Sequence, residues 1–219
     1  MHSLSEDALQ DLPLSAPRRL GVLGGTFDPV HRGHLAMARA ARRAHGLEKV
    51  LLIPSAEPPH KPAAEAPAAD RLAMARLAAE DEEGLEASSI EIDRSGVSYT
   101  VDTLEALRNL YPGAELFFIV GEDSLADFFG WRNVKRILEL ARLVTVNRPG
   151  WSAVIPPDAC PGAAPGLLER IERDRVAMPG VPVESRRIRE AIRAGRPYED
   201  DVGPRVAEYI RARGLYRST

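Results

Sequence analysis

Short apolar runs alternate along the chain with stretches that have helical spacing. Buried strands are predicted at residues 20–23, 49–53, 116–120 and 143–146, of which 116–120 is the most apolar. An apolar/polar alternation predicts a strand at 89–92, and a last short strand is expected at 175–178. Helices are predicted at 33–45, 70–83, 100–110, 134–140, 185–194 and 203–213, with Asp70 as the N-cap of the second.

Strands that alternate with helices predict βαβ units and a parallel sheet. The expected fold is therefore α/β, a Rossmann-like doubly wound parallel sheet, as a single domain over 18–219 with a small helical C-terminal part at about 181–219. Segments 55–68 and 149–166, rich in proline with alanine or glycine, are predicted to be loops. Because ligands of such sheets bind beyond the carboxyl ends of the strands, chemistry is expected in the loops that follow the strands.

Composition narrows the class of protein. The 219 residues carry 29 Lys and Arg against 32 Asp and Glu, a net charge of -3, which argues against a nucleic-acid partner. A single cysteine, Cys160, excludes an intramolecular disulfide framework and favours the cytoplasm. Residues 1–17 lack the charge and apolar core of a signal peptide, so we expect a disordered leader. No apolar run is long enough to predict a membrane span.

The loop after the first strand reads GGTFDPVHRGH, residues 24–34. Adjacent Gly24 and Gly25 let a ligand approach the backbone closely, and the loop leads into a helix N-terminus that favours anions. His31 and His34 lie on one face of the first helical turn, where imidazoles can donate hydrogen bonds to a phosphate. The spacing matches neither a Walker loop nor a GxGxxG fingerprint, and a zinc site lacks an obvious third ligand.

The same loop resembles the signature of the nucleotidylyltransferase superfamily, and specifically that of bacterial nicotinate-nucleotide adenylyltransferases. The resemblance covers nearly all of residues 19–217. Segments that support it follow in the family's order, namely Pro58-Pro59-His60-Lys61, Ser98-Tyr99-Thr100, Gly121-Glu122-Asp123-Ser124, Phe129-Gly130-Trp131, Arg148-Pro149-Gly150 and Gly214-Leu215-Tyr216-Arg217. Several ordered segments are more specific than the two histidines alone.

The resemblance implies that ATP and nicotinate mononucleotide give deamido-NAD and pyrophosphate, in NAD biosynthesis. Mg²⁺ is the implied cofactor, held mainly by the ATP phosphates rather than by a metal site of the protein. Such a transfer depends on positioning and charge stabilisation rather than on a protein nucleophile. Three alternatives stay open: nicotinamide mononucleotide or phosphopantetheine as the acceptor, or a nucleotide-binding regulator with impaired catalysis. A homo-oligomer is also left open.

The resemblance also implies roles for individual residues. The implied catalytic residues are His31, His34 and Arg189. The implied ATP-binding residues are Gly24, Gly25, Thr26, Phe27, Gly121, Asp123, Ser185 and Arg189. The implied mononucleotide-binding residues are Thr26, Lys61, Tyr99, Thr100 and Trp131, with Trp131 stacking on the pyridine and Thr100 holding its carboxylate. Competing interpretations are core packing for Trp131 and Tyr99, and an N-cap for Asp123.

One segment departs from the family pattern. Ser185 is shared with the family. The residue before it is usually Ser and is Glu184 here, and the residue after it is usually Thr and is Arg186 here. Glu184 is expected to repel the ATP phosphates, and Arg186 either offsets that charge or pairs with Glu184. Ser185 is predicted to cap the following helix, from which Arg189 reaches the phosphates. This departure motivates the regulator alternative.

Overall fold

The computed structural model describes residues 17–58, 63–147, 155 and 165–217. Within these residues the chain forms one five-stranded sheet in which every pair of neighbours is parallel, in the order β3-β2-β1-β4-β5. The strands are β1 (Arg19–Gly25), β2 (Lys49–Pro54), β3 (Leu85–Ala87), β4 (Glu115–Gly121) and β5 (Ala141–Val146). This confirms the predicted Rossmann-like α/β fold.

Ten helices are present in the same described residues. They are α1 (Arg32–His45), α2 (Ala68–Ala79), α3 (Ile90–Arg94), α4 (Thr100–Leu110), α5 (Glu122–Phe128), α6 (Val134–Leu140), α7 (Leu167–Arg173), α8 (Ser185–Arg193), α9 (Glu199–Val202) and α10 (Pro204–Arg213). The predicted helical part near the C-terminus corresponds to α8, α9 and α10. None of these helices is both long and apolar enough to cross a membrane.

Alternate residues of the strands enter two different cores, which is why the sheet is covered on both faces. In β4, Phe117 and Ile119 pack with α1, α2 and the three C-terminal helices, while Phe118 and Val120 pack with α4 to α7. Gly21 lies in β1 where a Cβ atom would come within 2.8 Å of the Val50 side chain. The central strand therefore needs glycine at this close approach.

Two local predictions are wrong. Ser89 is the N-cap of helix α3 and residues 90–92 are its first residues rather than a strand, and the strand of this region is β3, which begins four residues earlier than predicted. Asp70 does not cap α2, whose N-cap is Pro67. Its carboxylate instead accepts hydrogen bonds from Tyr209 and Arg213 of α10, at 2.8 and 3.0 Å. Asp70 thus joins two helices at their packed surface, where a capping role was expected.

The remaining differences concern short elements and segments outside the described residues. The predicted strand at 175–178 is reduced to one bridge, in which Val176 pairs with Val146. Helices α3, α5, α7 and α9 were not predicted. Apart from Pro17, the predicted leader lies outside the described residues, as does most of the predicted loop at 149–166.

The strand order fixes where a ligand can enter. Chain connections lead from β1 to β2 on one side of the sheet, and β4 lies on the other side of β1. The loops after β1 and β4 therefore diverge at the topological switch point, where Rossmann-like sheets bind their ligands.

Candidate functional site

The loop after β1 is held in shape by the buried carboxylate of Asp28. This carboxylate accepts hydrogen bonds from the backbone amides of Glu65 and Ala66, at 2.8 and 3.1 Å, and from the Tyr216 hydroxyl at 2.8 Å. Burial, followed by the charge of Asp28, raises the pKa of Tyr216 well above its ordinary range, so the phenol keeps its proton and donates. One side chain thus fastens the glycine loop to the loop before α2 and to the C-terminal end of the chain.

The two predicted histidines are adjacent at the start of α1. Their rings stack with centroids 3.6 Å apart, and the backbone N–H of His31 donates to Nδ1 of His34 at 3.2 Å. Because a backbone N–H can only donate, we assign the proton of the neutral His34 ring to Nε2. His31 is 3% exposed, whereas His34 is only half-buried. Of the pair, His34 therefore presents the more accessible imidazole.

Packing orients the His34 ring. Phe27, in the left-handed region at φ 50°, meets this ring edge-on with centroids 4.8 Å apart. A Cβ atom on Gly33 would lie 3.0 Å from both the His31 ring and Val183. The glycine between the histidines thus lets α1 lie close to the segment before α8. The left-handed backbone of Phe27 places its ring against that of His34.

Arg71 is a residue of this region that the sequence did not reveal. Its side chain is 1% exposed and donates to the backbone carbonyls of Thr26, Ala56 and Ala66, at 2.7, 3.2 and 3.1 Å. Burial lowers the pKa of the Arg71 guanidinium, an effect that the charge of Asp28 partly opposes. Through Arg71, helix α2 thereby holds the loops that follow β1 and β2. Only three-dimensional contacts identify Arg71, since an arginine within a helix is unremarkable in sequence.

Helix α8, which carries Ser185 and Arg189, begins against the glycine loop. The Ser185 hydroxyl donates to the carbonyl of Pro29 at 2.9 Å, so it is a tether rather than the predicted cap, and the N-cap is Glu184. Arg189 donates to the carbonyl of Asp28 and to the Glu65 carboxylate, both at 2.7 Å. The predicted phosphate-binding arginine therefore lies at the loop but is paired with a carboxylate.

Charge at the start of α8 is arranged differently from the prediction. Glu184 lies 3.8 Å from Arg187, not against Arg186, and Arg186 is exposed. Glu65 also pairs with Arg193, one turn beyond Arg189. Although partial burial alone would raise it, hydrogen bonds from these two arginines lower the pKa of the Glu65 carboxyl.

The end of β4 contributes the second predicted loop. Gly121 is the N-cap of α5, and a Cβ atom there would lie 2.4 Å from an oxygen of Asp123. The Asp123 carboxylate accepts the Ser124 amide at 3.0 Å, in the first turn of the helix rather than at its cap. Glu122, 5% exposed, pairs with Arg175 at 3.0 Å. The acid at position 122 thus fastens α5 to the segment beside β5.

Tyr99 and Trp131 pack against the core formed with α4 to α7, on the face of the sheet opposite the helix that carries the histidines, and Thr100 follows Tyr99. Tyr99 is the N-cap of α4 and Thr100 its first residue. The Arg132 guanidinium lies 4.3 Å from the centre of the Tyr99 ring, which joins the α4 start to the Trp131 loop. Trp131 is half-buried and packs on Phe128 with ring centroids 5.4 Å apart. Packing and a ligand-facing role are both compatible with this partial exposure.

Known proteins resemble this chain over most of its length. The family described as cytidylyltransferase-like matches residues 22–191. Proteins described as probable nicotinate-nucleotide adenylyltransferases are 46% identical in Roseiflexus sp. (strain RS-1), over 93% of this chain and 99% of the relative, and 39% identical in Desulfitobacterium hafniense (strain Y51), over 92% and 97%. The chain belongs to the nicotinate-nucleotide adenylyltransferase family. This confirms the resemblance drawn from the glycine–histidine loop.

A solved structure agrees on the fold of this family. The Plasmodium falciparum nicotinic acid mononucleotide adenylyltransferase complexed with NaAD superimposes with a TM-score of 0.70 over 91% of this chain and 97% of that one, at 16% sequence identity. In the present chain, the described site residues fall on the two faces of the sheet. The helix that carries the histidines packs with α8 in one core, and α4 packs with Trp131 in the other. Lys61, predicted to bind the mononucleotide, lies outside the described residues.

Proposed function

We propose that the protein transfers the adenylyl group of ATP to nicotinate mononucleotide, with release of pyrophosphate. An oxygen of the mononucleotide phosphate attacks the α-phosphorus, and the bond from that phosphorus to the β-phosphate bridge oxygen breaks. The observation that carries the proposal is the His34 ring at the first turn of α1, whose Nδ1 accepts the His31 amide, so that Nε2 carries the proton of the neutral ring. A donor so placed can stabilise the charge that develops on transferring phosphoryl oxygens.

The remaining groups near α1 suit a triphosphate. Gly24 and Gly25 end β1 directly before the loop, and a Cβ atom on Gly24 would meet nothing within 4 Å, so a ligand can approach the backbone there. In this proposal Thr26 and Phe27 line the phosphates through their backbone, and His31 supports His34. Mg²⁺ enters as part of the substrate MgATP, coordinated by the phosphates.

Helix α8 supplies the second part of the ATP site in the proposal. Its start is fastened to the glycine loop through Ser185, which places free N–H groups of the first turn beside that loop. Arg189 reaches the phosphates by exchanging the Glu65 carboxylate for a phosphate oxygen, since both groups present negatively charged oxygen acceptors to a guanidinium. At the end of β4, Gly121 and Asp123 receive the adenosine ribose hydroxyls.

The mononucleotide occupies the α4 side. Helix α4 has eleven residues from Thr100, its N-cap Tyr99 makes no side-chain capping hydrogen bond, and a helix N-terminus favours a carboxylate. We assign the nicotinate carboxylate to this position and the pyridine ring to the exposed face of Trp131. Tyr99 forms a wall of the mononucleotide site. Lys61 provides a charge for the mononucleotide phosphate. The reaction is placed in the cytoplasm, which a single cysteine favours.

The proposal is tested by a pyrophosphate-release assay. Each reaction contains the protein, MgATP and one acceptor, which is nicotinate mononucleotide, nicotinamide mononucleotide or phosphopantetheine. Release is expected with the first acceptor at a kcat/KM well above the others. Release with none of the three would contradict an enzymatic function and favour a nucleotide-binding regulator. His34→Ala is expected to lower kcat by about a hundred-fold or more while leaving the unfolding midpoint nearly unchanged.

A further inference from the structure

A chain of hydrogen bonds, partly or fully buried, runs from the glycine loop to the start of α4. It begins at Arg71, whose guanidinium joins the carbonyls of Thr26 and Ala56. The amide of Ala56 then donates to the Ser98 hydroxyl oxygen at 2.9 Å, and the Ser98 amide donates to the carbonyl of Glu57, also at 2.9 Å. The loop after β2 is therefore fastened on one side to the glycine loop and on the other to residue 98.

The chain continues through a buried carboxylate. Burial raises the pKa of the Glu91 carboxyl, and the neighbouring Thr103 and Ser98 side chains oppose this rise. Thr103 donates to the same carboxylate at 2.7 Å. Glu91, Ser98 and Thr103 are 7%, 8% and 2% exposed. Buried polar groups of this kind must satisfy one another, so the positions of all three are mutually determined.

The end of this chain is the first turn of α4. Ser98 directly precedes Tyr99 and Thr100, and the Thr103 hydroxyl oxygen lies 3.3 Å from the carbonyl of Tyr99. The first free N–H groups of α4 are thus set by hydrogen bonds on both sides, at residue 98 and at residue 103. Displacement of a binding group by about 1 Å can cost a hundred-fold in rate, so such fastening matters for a site assembled from separate loops.

We propose that Ser98, Glu91 and Thr103 are positioning residues that set the α4 N-terminus against the glycine loop and thereby determine affinity for the acid form of the mononucleotide. The inference rests on the proposed function, because the carboxylate site at α4 is part of it. These residues touch no reacting atom. They act by holding the N–H groups that receive the substrate carboxylate, while Arg71 transmits the same constraint to the Thr26 carbonyl.

The decisive experiment compares two substitutions at one position. Thr103→Val keeps the shape of the side chain and removes its hydroxyl, whereas Thr103→Ser keeps the hydroxyl and removes a buried methyl group. Steady-state assays with MgATP measure KM for nicotinate mononucleotide, KM for ATP, and the preference for the acid over the amide. Thr103→Val is expected to raise the mononucleotide KM about ten-fold and lower the acid preference by a similar factor. KM for ATP should stay within about two-fold.

Thr103→Ser is expected to retain wild-type values of all three quantities despite its smaller core contribution. A purely structural role would affect the two variants according to their stability, not according to the hydroxyl. Equal effects of Val and Ser, or no effect of Val in a folded protein, would overturn the inference. Thr145→Val is the control for threonine removal in general, because it makes the same change at a buried threonine of β5 whose hydroxyl has no hydrogen-bond partner among the residues that the structure describes.

Ser98→Ala provides an independent test should Thr103→Val not fold. It removes the acceptor of the Ala56 amide and the polar side chain beside Glu91, and the same rise in mononucleotide KM with unchanged ATP KM is expected. If Ser98→Ala leaves both KM values unchanged, the inference is wrong. An inactive wild-type protein would instead overturn the proposed function, and the inference with it. An active wild type with unaffected variants overturns the inference alone.

Discussion

Two arginines bind the same loop from different helices, and they do so in different ways. Arg71 of α2 is 1% exposed and donates to three backbone carbonyls, including that of Thr26. Arg189 of α8 has an 18% exposed side chain and divides its bonds between the Asp28 carbonyl and the carboxylate of Glu65. Within the described residues, Arg71 donates hydrogen bonds only to main-chain carbonyls. Arg189 also binds the Glu65 carboxylate, which another anion can replace.

This difference in partners suggests a structural role for Arg71 and a ligand-binding role for Arg189. Backbone carbonyls cannot leave Arg71 unless the loops themselves move, because each belongs to a segment fixed by the sheet or by α2. A carboxylate on the partly exposed loop before α2 can be replaced by another anion without unfolding the chain. We therefore expect Arg71 to contribute mainly to stability and Arg189 mainly to ATP binding. Substitutions at the two arginines should divide along the same line.

The largest expected effect is that of Arg71→Met on stability. Removal of the guanidinium leaves the carbonyls of Thr26, Ala56 and Ala66 without their donor. An unsatisfied buried polar group costs about 1–3 kcal/mol, so a loss of about 3 kcal/mol or more in the free energy of unfolding is expected. Urea denaturation measures it. Arg76→Met, an exposed position of the same helix, is the matched control and should change stability by less than about 0.5 kcal/mol. A loss at Arg71 no larger than at Arg76 would contradict the comparison.

Arg189→Met is expected to act on substrate binding before stability. Loss of a charged donor to phosphate should raise KM for ATP about ten-fold, with the free energy of unfolding lowered by about 1–2 kcal/mol, less than at Arg71. Initial rates at varied MgATP give the KM. Arg187→Met removes an arginine of the same helix whose side chain is 68% exposed, and it should leave that KM within about two-fold. An unchanged KM in Arg189→Met would show that this arginine, too, only builds the loop.

The sequence predicted the elements that bear strong local patterns. Helices α4 and α6 begin and end where apolar spacing places them, and β1, β2, β4 and β5 follow from apolar runs. The short alternation at 89–92 was misread because four residues fit a strand and a helical turn equally well. Glu91, within it, turns out to be a buried carboxylate facing Ser98 and Thr103, which a strand with an exposed polar face does not allow.

The site was predictable where its residues are neighbours in the chain. His31, His34 and the glycines lie in one loop, so their proximity follows from local spacing. Contacts across the sheet could not be read in this way, because nothing near Arg71 in sequence indicates three carbonyls from other segments. The same holds for the Glu65 carboxylate on Arg189, which joins positions 124 residues apart. Such contacts depend on loop paths that composition and periodicity do not determine.

Glu65→Gln should change ATP binding in the opposite direction to Arg189→Met. The amide keeps the size of the side chain but removes the negative charge that competes with phosphate for Arg189 and Arg193. KM for ATP is expected to fall by about two- to three-fold, the size expected for a partly exposed ion pair. Because salt screens such pairs, the fall should shrink as ionic strength rises. A rise in KM would mean that the carboxylate positions Arg189 for ATP rather than occupying its place.

The carboxylates near the two arginines should respond to pH with opposite signs. Hydrogen bonds from Arg193 and Arg189 outweigh partial burial and lower the pKa of Glu65 below its ordinary 4.5, so its contribution to stability is present above that pH and is lost as pH falls. Burial raises the pKa of Glu91 above 4.5, and the hydroxyls that bind it offset this only in part. Its contribution is therefore present below that pH and is lost as pH rises.

Thermal unfolding of Glu65→Gln, Glu91→Gln and wild type between pH 4 and 7 measures both signs together. The Tm of Glu91→Gln relative to wild type should improve as pH rises, because the variant has no buried charge to form. The relative Tm of Glu65→Gln should improve only as pH falls below about 4.5, where wild type loses its ion pairs. Each change is expected to be about 3 °C or less, since 1 kcal/mol corresponds to about 2–4 °C at this chain length. If the Tm relative to wild type changed with pH in the same direction for both variants, the two carboxylates would have equivalent electrostatic surroundings. The contrast between the buried Glu91 and the exposed Glu65 would then be wrong.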